Sequence, residues 1–205
     1  MTDLDKALAD IAEMRERVAQ SLEFHGYGPQ ALAATAILAG AGGITQIFLV
    51  PAPDAEPLAY FTVWTIVAAC AIAIIGVEAA RRVGRSHGGL GGEMLLSAAW
   101  RFAPAGLAGL LTSLVILRHA PEAAWMLPGL WQIMLSLGVF AAAHSLPRAM
   151  ILVAAWYLLT GLACLVYASG PHAFSPFAMA LPFCGGQLLA AAVMGLSRGG
   201  DHDEE

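Results

Sequence analysis

Six long stretches of apolar side chains, almost free of charge, alternate with short polar connections along this chain. They run from Pro29 to Val50, Pro57 to Ala80, Phe102 to Leu117, Ala123 to Ala143, Ala149 to Ala168 and Ala173 to Leu196. A helix needs about 20 mainly apolar residues to cross about 30 Å of hydrocarbon, so each stretch reads as a membrane span. The runs are continuous and too long for strands. The third is the shortest. Arg101 and Arg118 bracket it, and their long stems let the charged heads reach the headgroup layer. Glu93 to Trp100 reads as a short interfacial helix leading into it. The predicted fold is therefore all-α, a polytopic membrane bundle of six transmembrane helices at residues 29–197. A cytoplasmic amphipathic helix and junction at 1–28 precede it, and an acidic cytoplasmic tail at 198–205 follows.

Composition narrows the class. Of 205 residues, 59% are hydrophobic and 12% charged, whereas a water-soluble domain carries about 25% charge. That excludes a soluble enzyme. A net charge of −5 leaves no basic face for direct contact with nucleic acid. The three cysteines, Cys70, Cys164 and Cys184, all fall inside spans and form no CxxC, so they read as small apolar side chains.

Orientation follows from the basic residues. With six spans, the N-terminal segment, the 81–101 connection, the 144–148 turn and the C-terminal tail share one side. That side holds Lys6, Arg15, Arg17, Arg81, Arg82, Arg85, Arg101, Arg148 and Arg198, nine of the ten basic residues. The positive-inside rule then makes both termini cytoplasmic. Phe48, Tyr60, Phe61, Trp125, Tyr167 and Phe174 fall near the opposite ends of the spans, where rings favour the interface. Met1 leads into an acidic amphipathic segment and not into a cleavable signal.

The N-terminal segment is a separate element. Thr2-Asp-Leu-Asp5 resembles a capping box, and Leu4, Leu8, Ile11, Val18 and Leu22 recur at helical steps. Two uses compete: a helix lying on the cytoplasmic face of its own bundle, or one that pairs with another copy or a cytoplasmic protein through residues 3–24. Six acids against three bases up to Gly28 argue against an anionic lipid surface.

Polar groups within the spans are few. Glu78 is the only acid there, and Arg81 and Arg82 at i+3 and i+4 account for it as an ion pair. Gln46, Gln132 and Gln187 need partners where there is no water. As structural ties they join helices; as a ligand site, Gln132 and Gln187 would line a midplane pocket near breaks at Pro128-Gly129 and Pro182–Gly186. Trp131 and Tyr157 would add stacking surface. The histidines sit at the boundaries or in the tail, without metal or haem spacing, so no cofactor is expected. His144 would cap the fourth helix. Gly43-Ile-Thr-Gln46, Gly129-Leu-Trp-Gln132 and Gly185-Gly-Gln187 also hint at a repeated hairpin.

Four motifs, Met14-Arg-Glu-Arg17, Phe24-His-Gly-Tyr-Gly-Pro29, Trp125-Met-Leu-Pro-Gly-Leu-Trp-Gln132 and Pro182-Phe-Cys-Gly-Gly-Gln187, carry a resemblance. The whole chain resembles an uncharacterised family of bacterial six-span inner-membrane proteins. The resemblance implies a bacterial inner membrane and association with a cytoplasmic winged-helix regulator, and it supplies no catalytic residue. With no acid–base pair in view, the functional expectation is a non-enzymatic membrane protein of the regulatory or scaffold type. It would be homo-oligomeric, with a small apolar ligand between helices. The alternative is a small transporter or facilitator with a midplane site near Gln132 and Gln187.

Overall fold

The computed structural model describes residues 28–85, 90–143 and 146–200. The expected N-terminal helix, the acidic tail from 201 onward and the His144 cap lie outside them. Within them the chain forms α1 (Pro29–Leu49), α2 (Pro57–Arg85), α3 (Leu90–His119), α4 (Leu127–Ala142), α5 (Met150–Tyr167) and α6 (Pro176–Gly200). All six are long and apolar enough to cross a membrane when the 3-10 turn at Pro121–Met126 is counted with α4. Proline opens α1 and stands in the first turn of α4, where its missing N–H leaves no bond unmade.

Two local expectations change. The interfacial helix and the third span are one continuous helix, α3, which passes through Pro104. A proline removes a single backbone bond, and a membrane bundle tolerates that loss. Likewise the 182–186 segment is no break, since α6 runs unbroken through Pro182. Near the fourth span's Pro128-Gly129 the irregularity is instead the 3-10 turn ahead of it.

The helices stand in a ring in chain order, closed by a long contact between α1 and α6, with α4 against α5 the second main seam. α2 and α3 are peripheral: 17% and 11% of their spans are buried, against 39% and 44% for the first and fourth. Leu107, Leu110, Leu111, Leu114 and Val115 of α3 are all exposed. Water would not accept such a face, and lipid does.

Small residues set the closest approaches. A Cβ on Gly129 would lie 2.8 Å from the Gly161 carbonyl oxygen, and one on Gly161 would lie 2.9 Å from that of Gly129. The backbones of α4 and α5 therefore touch. A Cβ on Gly43 would meet that of Ala180 at 2.7 Å, so α1 and α6 approach nearly as closely.

Side chains then fill two cores. One gathers Leu32, Val139, Met150, Val153, Tyr157 and Met194. The other gathers Tyr60, Phe61, Trp64, Leu127, Phe174 and Met179. The second revises the expected aromatic belt. Phe48 and Tyr167 are exposed, but Tyr60, Phe61 and Phe174 are buried, with ring centroids 5.1–5.7 Å apart. Rings that pack edge-on or tilted against one another inside the bundle gain more contact than rings at the headgroups.

Candidate functional site

The three glutamines lie in different surroundings. Gln46 is 1% exposed on α1 and has both ends of its amide occupied. Its Nε2 donates to the Phe174 carbonyl at 2.8 Å. Its Oε1 accepts from the Trp64 indole N–H, also at 2.8 Å. One side chain thus ties α1 to α2 and to the segment entering α6. Trp64 was not among the residues singled out from sequence, although a tryptophan in mid-span also needs an acceptor.

Gln132 is fully buried on α4. Its Nε2 donates to the Ala178 carbonyl of α6 at 3.0 Å and to its own Pro128 carbonyl at 3.1 Å. The first of these has a specific cause. Pro182 has no N–H, so the carbonyl four residues earlier, that of Ala178, loses its helical partner. Gln132 replaces the missing donor. Its Oε1 is buried and makes no hydrogen bond.

This arrangement makes a prediction. Pro182→Ala returns an N–H to residue 182, and Ala178 can then be satisfied within α6. Gln132→Leu alone is expected to cost about 1–2 kcal/mol, the range for a membrane helix tie, and clearly less in the Pro182→Ala background. Thermal unfolding in detergent across the four proteins measures this, and equal costs would disprove the link.

Tyr157 and Gln187 form a second group. Trp156 and Tyr157 of α5 lie across Gly185 and Gly186 of α6, where an added Cβ would sit 2.7 Å and 2.3 Å from the respective rings. The Trp156 indole donates to the Pro182 carbonyl at 3.0 Å. The Tyr157 hydroxyl reaches the Gln187 side chain, yet neither that hydroxyl nor Gln187 Oε1 completes a hydrogen bond. Gln187 lies nine residues beyond Ala178, about 13 Å further along α6. Phe183 packs against Tyr157 in between, with centroids 5.5 Å apart.

Trp131 faces elsewhere. Its indole donates to Ser113 Oγ of α3 at 2.8 Å, and its ring meets Phe61 at 5.7 Å. Ser113 and Ser136 were also not singled out. Ser136, fully buried, donates to the Ala154 carbonyl at 2.7 Å and bridges α4 to α5. Among the described residues no three His, Cys, Asp or Glu side chains gather where they could hold a metal.

An open groove lies between α1 and α2. Their helices meet at Gly42, where a Cβ would lie 2.7 Å from Val67. Toward the chain's N-terminal side a groove of about 450 Å³ opens between them, lined by Gln30, Ala31, Ala73, Ile74, Val77, Glu78 and Arg81. Alanines at 31 and 73 are too small to fill it. Glu78 is partly buried and already interacts within the protein.

Set against protein-family models, curated proteins and solved structures, the chain finds no match. The fold itself defines the class: an α-helical integral membrane protein, with six helices among the described residues long and apolar enough to span a membrane.

Proposed function

We propose that this is a non-enzymatic membrane protein of the regulatory or scaffold type, holding a small apolar ligand between helices. The proposal places it as a homo-oligomer in a bacterial inner membrane, with both termini cytoplasmic. The groove between α1 and α2 carries the reading. Its volume falls in the roughly 300–1,000 Å³ range of small-molecule sites, and its apolar lining is Ala31, Ala73, Ile74 and Val77. The glutamines support it indirectly. Gln46 and the Gln132 amino group are committed to joining helices, which suits a rigid scaffold. Ala73→Phe places a ring in the groove and is expected to remove saturable binding of a neutral apolar fluorophore by the purified protein. Unchanged binding would refute the site. Deletion of residues 1–24 is expected to abolish self-association or partner capture with the bundle still folded. Unaltered assembly by light scattering would refute the role given to that segment.

A second reading, a transporter or facilitator, has one observation in its favour. Gln132 Oε1, Gln187 Oε1 and the Tyr157 hydroxyl are buried without hydrogen-bond partners, and such groups are potential solute contacts. On this reading solute flux into liposomes stops in Gln132→Leu/Gln187→Leu. Persisting flux excludes that path.

A further inference from the structure

The groove between α1 and α2 has a shape and an end that select its occupant. From Ala73 to Arg81 it follows α2 for about 12 Å. Ala31, Ala73, Ile74 and Val77 give it an apolar lining over that length. Ordered water suits it poorly, because a bound water needs two to four polar partners. A slender hydrocarbon chain suits both the length and the lining.

The other end of the groove is polar. The apolar stretch of α2 closes at Arg81, so this exposed residue stands where hydrocarbon gives way to headgroups. A guanidinium offers paired N–H donors that match two phosphate oxygens. Gln30, at the start of α1, adds a second polar side chain to the lining. Glu78 is already engaged within the protein, and nothing here requires it.

We infer that this groove is a phospholipid site, taking one acyl chain of a glycerophospholipid along Ala31, Ala73, Ile74 and Val77, with Arg81 on its phosphate. The inference rests on the reading of the groove as an apolar-ligand site and adds the headgroup. A phospholipid brings chain and phosphate in one molecule, already at this depth in the bilayer. Free phosphate would have no use for the apolar wall.

Native mass spectrometry of the delipidated full chain tests it, with phosphatidylglycerol, phosphatidylethanolamine and diacylglycerol of matched chains. Both phospholipids are expected to bind, and diacylglycerol about fivefold more weakly, the factor one basic side chain near a lipid phosphate supplies. Arg81→Gln should bring the phospholipids down to the diacylglycerol level, and Ala73→Phe should weaken all three. Both residues are exposed, so neither change burdens the core. Equal binding of diacylglycerol by the native chain, or a phospholipid preference that survives Arg81→Gln, would overturn the phosphate assignment and leave the apolar-ligand reading standing. Ala73→Phe without effect on any of the three would overturn both. Binding seen only after residues 1–24 are removed would assign the groove to the chain's own N-terminal segment and overturn the lipid.

Discussion

Gly161→Val will separate α4 from α5 and deprive the protein of its folded bundle. The added Cβ would fall 2.8 Å from Ile133 Cγ1, 2.9 Å from the Gly129 carbonyl oxygen and 3.1 Å from Gln132 Cβ. The Ile133 methylene can rotate away, but a backbone oxygen cannot. The helices must therefore move apart, which also strains the Ser136 bond to Ala154 and the Gln132 bond to Ala178. Overpacking a close contact costs about 1–3 kcal/mol and sometimes more, and here two further bonds go with it. The expected readout is loss of the monodisperse peak on size exclusion in mild detergent. Gly40→Ala is the control, because nothing lies within 4 Å of its Cβ. Helix propensity favours alanine over glycine by about 1 kcal/mol, so this variant should be as stable as the native chain or more so. If Gly161→Val and Gly40→Ala behave alike, backbone contact does not hold α4 on α5.

Gln46→Leu is the second large effect expected. It leaves the Trp64 indole N–H and the Phe174 carbonyl without partners in a place with no water to replace them. Two buried hydrogen bonds of this kind together contribute about 1–3 kcal/mol. The consequence reaches three elements, since Phe174 also packs on Tyr60 and Phe61 of α2. Trp64→Phe removes the orphaned donor, so the double variant should lose less than the two single ones combined. Thermal unfolding in detergent reads that coupling. Strict additivity would mean the indole and the amide act independently.

Much of the fold was legible because membrane insertion is decided locally. Each span was marked by its own run of apolar residues, and the limits of α1 and α5 differ from the expected ones by a residue. The departures come where local signals lose to tertiary support. Pro104 and Pro182 lie inside helices, because neighbouring segments can satisfy the carbonyl that a proline frees. The Ala178 carbonyl with Gln132 on it is the visible case. Tyr60, Phe61 and Phe174 sat in the sequence where interfacial rings belong, yet they pack against one another, edge-on or tilted, inside the bundle.

The candidate site was legible only as a set of residue types. That Gln46, Gln132 and Gln187 had to face protein followed from their chemistry. Which groups they would meet did not, because Phe174 and Trp64 stand 128 and 18 positions from Gln46. No periodicity encodes such distances. The groove was less legible still. It arises from what Ala31 and Ala73 fail to fill after Gly42 has brought α1 onto α2, and a void has no residue of its own to announce it.

The sequence by itself determined that this chain is helical, that six of its segments are long and apolar enough to cross a bilayer, and that a few amides lie inside them. Hydrocarbon penalises every unpaired backbone group and every unaccompanied charge, and that penalty acts on each segment separately. The tertiary structure alone decided the ring order of the helices, the partners of each glutamine and the place of the open groove. Those depend on how small and large side chains interlock across helices distant in the chain, and only the packed bundle expresses that complementarity.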